Sequence, residues 1–471
     1  MTDKKIFAGI SLRRLRQARD LSQAAMAEAL GISPSYLNLV ERNQRPLTAQ
    51  LLLKLAETFD LDLRELSGEN EARLAGEIAE ALADPMFSGK LPQTSEIMDV
   101  ASTSPAMAEA FLSLYRAFYN ARNNEGGPAP AARPREAEEG SFFEEVRDYF
   151  HAHGNYIPSL DAAAEALHAE LGHPDDLMGA LRAYLRENHG IRVSILPIHA
   201  MPGMYRRFDH HNKRLFCSEL LSPSSRAFQV AAQVALMDQS DEIDRLIAEG
   251  GFHSEDARKL CRIGLANYFA AALMMPYDAF LDAAEKLRYD LVLLSARFSA
   301  SIEQVAHRLT SLQRHGRTGV PFFFLRRDSA GNMTKRFSAG RFPFARFGGT
   351  CPRWRIHDAF IYPGRTIVQP VALPDGATYL TVSRTVEVTP GPYPEPARRL
   401  AISIGCEIAY ADRVVYGDGL DLNNPAAITP IGITCRLCER PNCAARVLPP
   451  SNRPMIIDAS RKNMSAFEFG D

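Results

Sequence analysis

The sequence predicts a multidomain protein: an all-α helix-turn-helix domain, then an α+β domain, then a second α+β domain at the C-terminal end. Three observations carry this. Residues 21–46, LSQAAMAEALGISPSYLNLVERNQRP, are punctuated as two short helices joined by a tight turn. Residues 123–140, NNEGGPAPAARPREAEEG, combine Gly, Pro, Ala and charge without apolar periodicity, the composition of a flexible linker. Beyond the linker, two strand-like runs precede two long amphipathic runs, an α+β order, and the last third changes to short alternating segments. At 471 residues the chain has room for about three domains at ~150 residues each.

Composition narrows the function classes. A hydrophobic content of 46% and a charged content of 23% are ordinary for a soluble globular protein. No run of ~18 apolar residues is present, so no membrane-spanning helix is expected. The first residues, MTDKKIFAGISLRRLRQ, lack the apolar core of a signal peptide. These features predict a cytoplasmic protein whose seven cysteines are reduced. A net charge of −2 argues against a non-specific nucleic-acid coat.

In the first domain, Ser22 is placed to cap a helix that Gly31 closes. Ser33-Pro34 opens a second helix, with proline where its missing N–H costs nothing. Met26, Ala27 and Leu30, then Leu37 and Val40, form one buried stripe on each helix. Ser35, Tyr36, Asn38 and Arg42 are left on or near the outer face of the second helix, where a DNA major groove accepts polar side chains. The plainer reading is a helical bundle whose polar face meets water, and the flanks decide against it. Leu12, Leu15 and Ala18 predict a preceding helix, and Thr48 caps a following one with Leu51, Leu52, Leu55, Ala56 and Phe59 inward. Up to Gln50, Lys4, Lys5, Arg13, Arg14, Arg16, Arg19, Arg42 and Arg45 outnumber Asp3, Asp20, Glu28 and Glu41, the footprint of phosphate binding.

Residues 8–66 resemble the Cro/phage-repressor type helix-turn-helix of the xenobiotic-response-element (XRE) family. The resemblance implies a double-stranded DNA operator as partner. It implies that Gln23 contacts the DNA backbone and that Arg16 pairs with Glu41 inside the domain. The DNA-binding candidates are Gln23, Ser33, Ser35, Tyr36, Asn38, Arg42, Asn43 and Arg45. One helix-turn-helix reads one half-site, so a homodimer or higher homo-oligomer is expected.

Residues 67–122 predict a helical connector, in which Leu112, Leu114, Tyr115, Phe118 and Tyr119 make an apolar face. After the linker, residues 141–150 and 160–187 read as helices, with Ser159 or Asp161 starting the second run. Residues 191–196 and 213–217 read as strands, and 224–239 and 254–275 as long helices. Residues 299–314 read as one more helix pair, weakly like a second helix-turn-helix.

The order of elements over 141–316, with FQVAAQVALM and LANYFAAALMMP, resembles the ImmA/IrrE family and its zincin-like metallopeptidase core. A working zincin helix carries His-Glu-x-x-His, two zinc-binding imidazoles and a general base. The matching positions here are Ala232, Gln233, Val234, Ala235 and Leu236, and Arg262, Ile263, Gly264 and Leu265 stand where the third ligand belongs. His210 and His211, behind Asp209, lack one-turn spacing. No catalytic residue is expected and the domain is read as degenerate, not as an enzyme. The former cleft either accepts a small acyl group or closes as core.

The C-terminal domain, 317–471, carries two condensed features. Around a hairpin signal at 329–332, Arg326, Arg327, Lys335, Arg336, Arg341, Arg346, Arg353 and Arg355 face Asp328 alone, interleaved with Phe337, Phe342, Phe344, Phe347 and Trp354. Such a mixture suits a phosphorylated, ring-bearing ligand such as coenzyme A, a second nucleic-acid contact, or a solvated sheet face against acidic helices. The ligand candidates are Arg326, Arg327, Lys335, Arg336, Arg341, Arg346 and Trp354. Cys435, Cys438 and Cys443 lie within nine residues, with Cys406 as natural fourth ligand and Cys351 behind it. Zinc, an iron–sulfur cluster, buried packing thiols or a redox pair all fit that spacing.

Together AGNMTKRFSAGRFPFARFGGTCPRW, GITCRLCERPNCAARVLPP and the two preceding parts resemble the bacterial short-chain fatty acyl-CoA regulators over nearly the whole chain. That resemblance implies a transcription factor that senses an acyl-CoA thioester and controls acetate or propionate assimilation. The alternatives are a metallopeptidase acting on a repressor, which Ala232, Gln233 and Leu236 oppose, and a redox- or metal-sensing regulator built on the cysteines.

Overall fold

The computed structural model describes residues 12–469 apart from 60–68, 88–91, 125–133, 345–349, 388–392, 394–397, 461–464 and isolated positions. Arg14, Ala18, Asn43, Leu52, Ala56, Arg346 and Phe347 lie outside the described residues. The chain forms two compact units, 1–125 with 343–347 and 433–471, and 126–342 with 348–432. The last residues therefore group with the N-terminal unit, whereas the sequence placed them with the preceding β domain.

In the first unit, α1 (Gln23–Ala29) and α2 (Pro34–Glu41) are capped as their serines require. The Ser22 hydroxyl accepts from the Ala25 N–H and the Ser33 hydroxyl from the Tyr36 N–H, each at 3.1 Å. Gly31 takes φ +61°, which glycine adopts at little cost. Leu12, Met26, Ala27, Leu30, Leu37, Val40, Leu47, Leu51, Leu55 and Phe59 form the core of this domain. Next come α3 (Glu69–Leu82), α4 (Thr94–Thr103) and α5 (Pro105–Asn124), packed through Leu74, Ile78, Ile97, Ala101, Ala108 and Leu112. The apolar face expected on α5 divides: Leu112 is buried, while Leu114 is 70% and Phe118 42% exposed.

In the second unit, α6 (Pro134–Ala152) begins inside the stretch read as linker, with proline at its N-terminus. The run 160–187 is two helices, α7 (Pro158–Glu170) and α8 (Leu177–His189), because Gly172 and His173 adopt positive φ and Pro174 follows. Strands β1 (Arg192–Leu196), β2 (Arg206–Asp209) and β3 (Arg214–Ser218) form a sheet in the order β1-β3-β2, parallel then antiparallel. Helices α9 (Pro223–Asp238), α10 (Ser240–Glu249) and α11 (Glu255–Met274) follow, then α12 (Tyr277–Lys286), α13 (Leu291–Arg297) and α14 (Ile302–Leu309). Residues 299–314, read as a helix pair, contain one α-helix, α14, whose Val305, Ala306, Arg308 and Leu309 are buried.

A larger sheet runs β5-β4-β8-β7-β6-β9, from β4 (Phe323–Arg327), β5 (Met333–Ser338), β6 (Ile367–Ala372), β7 (Thr378–Glu387), β8 (Arg399–Glu407) and β9 (Thr429–Pro430). One face, with Phe324, Leu380, Val382, Ile402 and Ile404, shares a continuous core with Tyr277, Phe280, Leu309 and Leu312. The division expected at 316/317 is therefore filled by one hydrophobic core. In the first unit, β10 (Met455–Ile456) pairs with β11 (Glu468–Phe469). No helix among the described residues is long and apolar enough to cross a membrane.

Candidate nucleic-acid interface and effector region

The candidate DNA-reading face is built by what α2 keeps inward. Leu37 and Val40 are buried, which turns Ser33, Ser35 and Arg42 to solvent and leaves Tyr36 and Asn38 partly exposed; Arg45 just beyond is also exposed. Leu39 is 37% exposed, four residues after Ser35 and three before Arg42, so it lies on this outer face. Sequence reasoning passed over it. An apolar side chain there suits a thymine methyl group, and its outward heptad-like position was the available signal.

Behind the face sits a polar clamp. Arg16 Nε donates to Glu41 Oε1 at 2.7 Å and its NH1 to the Leu21 carbonyl at 3.1 Å. Gln23 Nε2 donates to Glu41 Oε2 at 2.9 Å. Glu41 is 6% exposed, and its hydrogen bond raises the Arg16 pKa above the usual value. The Arg16–Glu41 pair expected from resemblance is present, and Gln23, at the start of α1, is held in place by the same carboxylate. The carbonyl of Leu30, the residue that caps the C-terminal end of α1, is also covered, since Lys54 Nζ donates to it at 3.2 Å.

The degenerate zincin positions lie on α9. Ala232, Gln233, Val234 and Ala235 are all at most 6% exposed and pack in the core with Leu236 against them. Across from them the third-ligand positions are more open, with Ile263 50% exposed and Arg262 paired with Asp244. His210 and His211 sit exposed in the β2–β3 turn, where Asp209 binds Asn212.

The basic hairpin β4–β5 is largely neutralised by its neighbours. Arg326 pairs with Glu303 at 2.6 Å, with Lys335 at 3.9 Å from the same carboxylate. Arg336 pairs with Glu144 at 2.7 Å, and Arg341 lies 3.9 Å from Glu407. Trp354 is 3% exposed, enclosed with Phe323 and Phe342, so it packs the sheet instead of offering an open stacking surface. Arg327 differs. It stands at a bulge in β4, is 5% exposed, and donates to Thr350 Oγ1 at 3.2 Å and to the ring of His357. Among the described residues no carboxylate pairs with it, and burial lowers its pKa. Burial, with Arg327 beside it, also lowers the His357 pKa, so that ring accepts as a neutral imidazole.

The cysteines are placed in two settings. Cys406 is 2% exposed on the apolar face of β8, its thiol pushed up to about 12 by burial. With Tyr289, Phe322, Leu380 and Tyr416 it lines a recess that has room for about one water. That setting is a packing thiol's. Cys435, Cys438 and Cys443 share a loop organised by Arg446, whose guanidinium donates to the carbonyls of Cys435, Cys438 and Arg440 at 2.8–2.9 Å and lies over the Phe469 ring. Among the described residues no three His, Cys, Asp or Glu side chains are gathered in metal-binding geometry.

Comparison with known proteins places these parts. A helix-turn-helix family matches 12–66, the IrrE N-terminal-like domain matches 186–310, and the short-chain fatty acyl coenzyme A regulator C-terminal domain matches 311–467. The propionyl-CoA carboxylase regulator of Cereibacter sphaeroides is 42% identical over 99% of this chain and 100% of its own length. Two HTH-type transcriptional regulators of Mycobacterium tuberculosis, RamB and PrpR, are 41% and 40% identical over 98% and 97% of this chain, covering 98% and 94% of their own. A solved structure of a Mycobacterium tuberculosis transcriptional regulator matches with a TM-score of 0.67 and 41% identity, covering 69% of this chain and 99% of that one. With similarity running the length of the chain, from the capped recognition helix to the cysteine loop, the chain belongs to the short-chain fatty acyl coenzyme A regulator family of helix-turn-helix transcriptional regulators.

Proposed function

We propose that this regulator binds its operator as a homodimer in the cytoplasm and that a short-chain acyl-CoA sets its affinity for DNA, controlling acetate- or propionate-type carbon metabolism. The observation that carries the reading is an outward polar row on α2 beside a zincin-like helix in which Ala232, Gln233 and Leu236 stand where the two imidazoles and the carboxylate would. Without those three side chains the zincin-like helix lacks the zinc ligands and general base of a working zincin, which supports a regulatory role. The effector assignment draws on the family match at 311–467 and on relatives described as regulators, one of propionyl-CoA carboxylase. Within the hairpin, Arg327 is the cation best suited to an anionic ligand, because Arg326, Lys335, Arg336 and Arg341 already face carboxylates. The DNA contacts are assigned to Ser33, Ser35, Tyr36, Asn38, Arg42 and Arg45, with Gln23 at the start of α1.

Calorimetric titration of the full chain with acetyl-, propionyl- and methylmalonyl-CoA tests the effector. Saturable heat with at least one thioester, weakened by Arg327→Gln, is expected. No heat with any of them overturns the acyl-CoA reading. The loop of Cys435, Cys438 and Cys443 then becomes the leading sensor, and elemental analysis of the purified protein decides whether it holds metal.

A further inference from the structure

The outer face of α2 is polar except at one position. Leu39 is 37% exposed, and among the described residues of the helix-turn-helix domain it is the one large apolar side chain left in solvent. The core closes without it, through Leu30, Leu37, Val40 and Leu51. Its neighbours along the helix surface are Ser35, one turn before it, and Arg42, three residues after it, both exposed. Tyr36, the third neighbour, leans on the core and is only partly exposed. The Leu39 carbonyl accepts from the backbone N–H groups of Gln44 and Arg45, at 2.9 and 3.2 Å. The chain leaving α2 therefore turns back on the end of the helix and keeps the exposed Arg45 close to Leu39. A single exposed leucine needs no explanation on most surfaces. This one stands between a small hydroxyl and two cations, on the helix that a helix-turn-helix domain lays in the major groove.

We infer that Leu39 is a specificity-determining residue, which selects a thymine in each operator half-site through the C5-methyl group of that base. The inference rests on the assignment of the outer face of α2 to the major groove and names what one position of that face selects. Adenine, guanine and cytosine offer hydrogen-bond donors and acceptors at their major-groove edges, and thymine alone adds a methyl group. A leucine can pair with none of the polar atoms. Pressed on another base, it strips water from donors or acceptors that it cannot replace. Pressed on a thymine methyl, it buries two apolar surfaces together, which is worth roughly fourfold in affinity per methyl group. The flanking side chains leave this role open. Arg42 and Arg45 suit phosphates, which fix the position of the helix and carry no sequence information. The Ser35 hydroxyl can bond to more than one base and discriminates little.

Uracil scanning of the operator tests the assignment. A duplex operator is selected from a random-sequence pool with the full wild-type chain, and its thymines are then replaced one at a time by deoxyuridine. That exchange removes a methyl group and keeps every hydrogen-bonding atom. The wild type is expected to lose roughly fourfold in affinity at one thymine of each half-site. Leu39→Ala is expected to bind the unmodified operator more weakly and to be indifferent to deoxyuridine at that thymine, while Ser35→Ala keeps the wild-type sensitivity. Leu39 lies outside the core, so the helical circular dichroism signal and the melting midpoint of Leu39→Ala should stay unchanged. Three results overturn the thymine assignment: selected sites without an invariant thymine, wild-type binding indifferent to every exchange, or a Leu39→Ala profile equal to that of the wild type. If Ser35→Ala or Asn38→Ala still weakens operator binding in that case, the recognition face stands. Operator affinity unchanged by Leu39→Ala, Ser35→Ala and Asn38→Ala alike overturns the face and the thymine assignment together.

Discussion

At the scale of single residues, the most consequential charge pair is buried between two helices of the second unit. Asp161 on α7 and Arg308 on α14 have 0% and 1% of their side chains exposed and meet through two hydrogen bonds of 2.9 Å. The Tyr268 hydroxyl donates to the same carboxylate, and Arg308 Nε donates to the Met275 carbonyl. Burial, reinforced by the neighbouring Asp161 charge, raises the Tyr268 pKa well above its usual value. Removing one member leaves the other charge in the core without a partner, which costs about 3–5 kcal/mol. Asp161→Asn is therefore expected to lower the stability of the second unit by that amount in chemical denaturation. The double variant Asp161→Leu with Arg308→Met should lose markedly less, and equal losses would show that the intact pair, not the orphaned charge, carries the stability. In the sequence Asp161 read only as a helix starter, because aspartate in a first turn is favoured for its charge alone. Its partner is 147 positions away, a distance that no local pattern encodes. Ser22 and Ser33 were legible because a cap acts on a donor three residues on.

At the scale of elements, the recognition helix makes the sharpest claim. Asn38→Ala and Tyr36→Ala should each weaken binding to the cognate operator by about 1–3 kcal/mol while leaving non-specific DNA affinity nearly unchanged, if these side chains read bases. Arg42→Ala should weaken all sequences alike and reduce the slope of log affinity against log salt by roughly 1, the signature of one lost phosphate contact. Binding curves over a salt series separate the two. A salt-slope change at Asn38 and none at Arg42 would reverse the roles. The helices carrying this site were legible because their caps and apolar spacing coincide. Strand β2 was not, since Arg206–Asp209 is polar and lies at a sheet edge, where half its backbone needs no partner. The hairpin β4–β5 was legible from its turn, where Asp328 binds Asn332 and Gly331 takes φ +98°. Its charge was read less well, because the carboxylates of Glu144, Glu303 and Glu407 come from elements remote in sequence.

At the scale of the whole molecule, the two α+β domains expected from the sequence share one core, and this bears on how sensing is to be measured. Phe322 and Phe324 pack with Tyr277, Leu309 and Leu312, so separating the β4–β8 sheet from the helices before it would expose their common apolar core. A ligand that changes DNA affinity must then favour one of two arrangements of the chain by a definite free energy, and the coupling is reciprocal. If propionyl-CoA shifts operator affinity tenfold, saturating operator DNA must shift propionyl-CoA affinity tenfold in the same sense, about 1.4 kcal/mol either way. Titrating thioester into protein with and without operator, and operator into protein with and without thioester, yields the two factors separately. Equal factors are expected. Heat from a thioester that leaves operator affinity unchanged would mean that the ligand binds both arrangements alike, and the acyl-CoA would then be cargo or a bystander and not the signal.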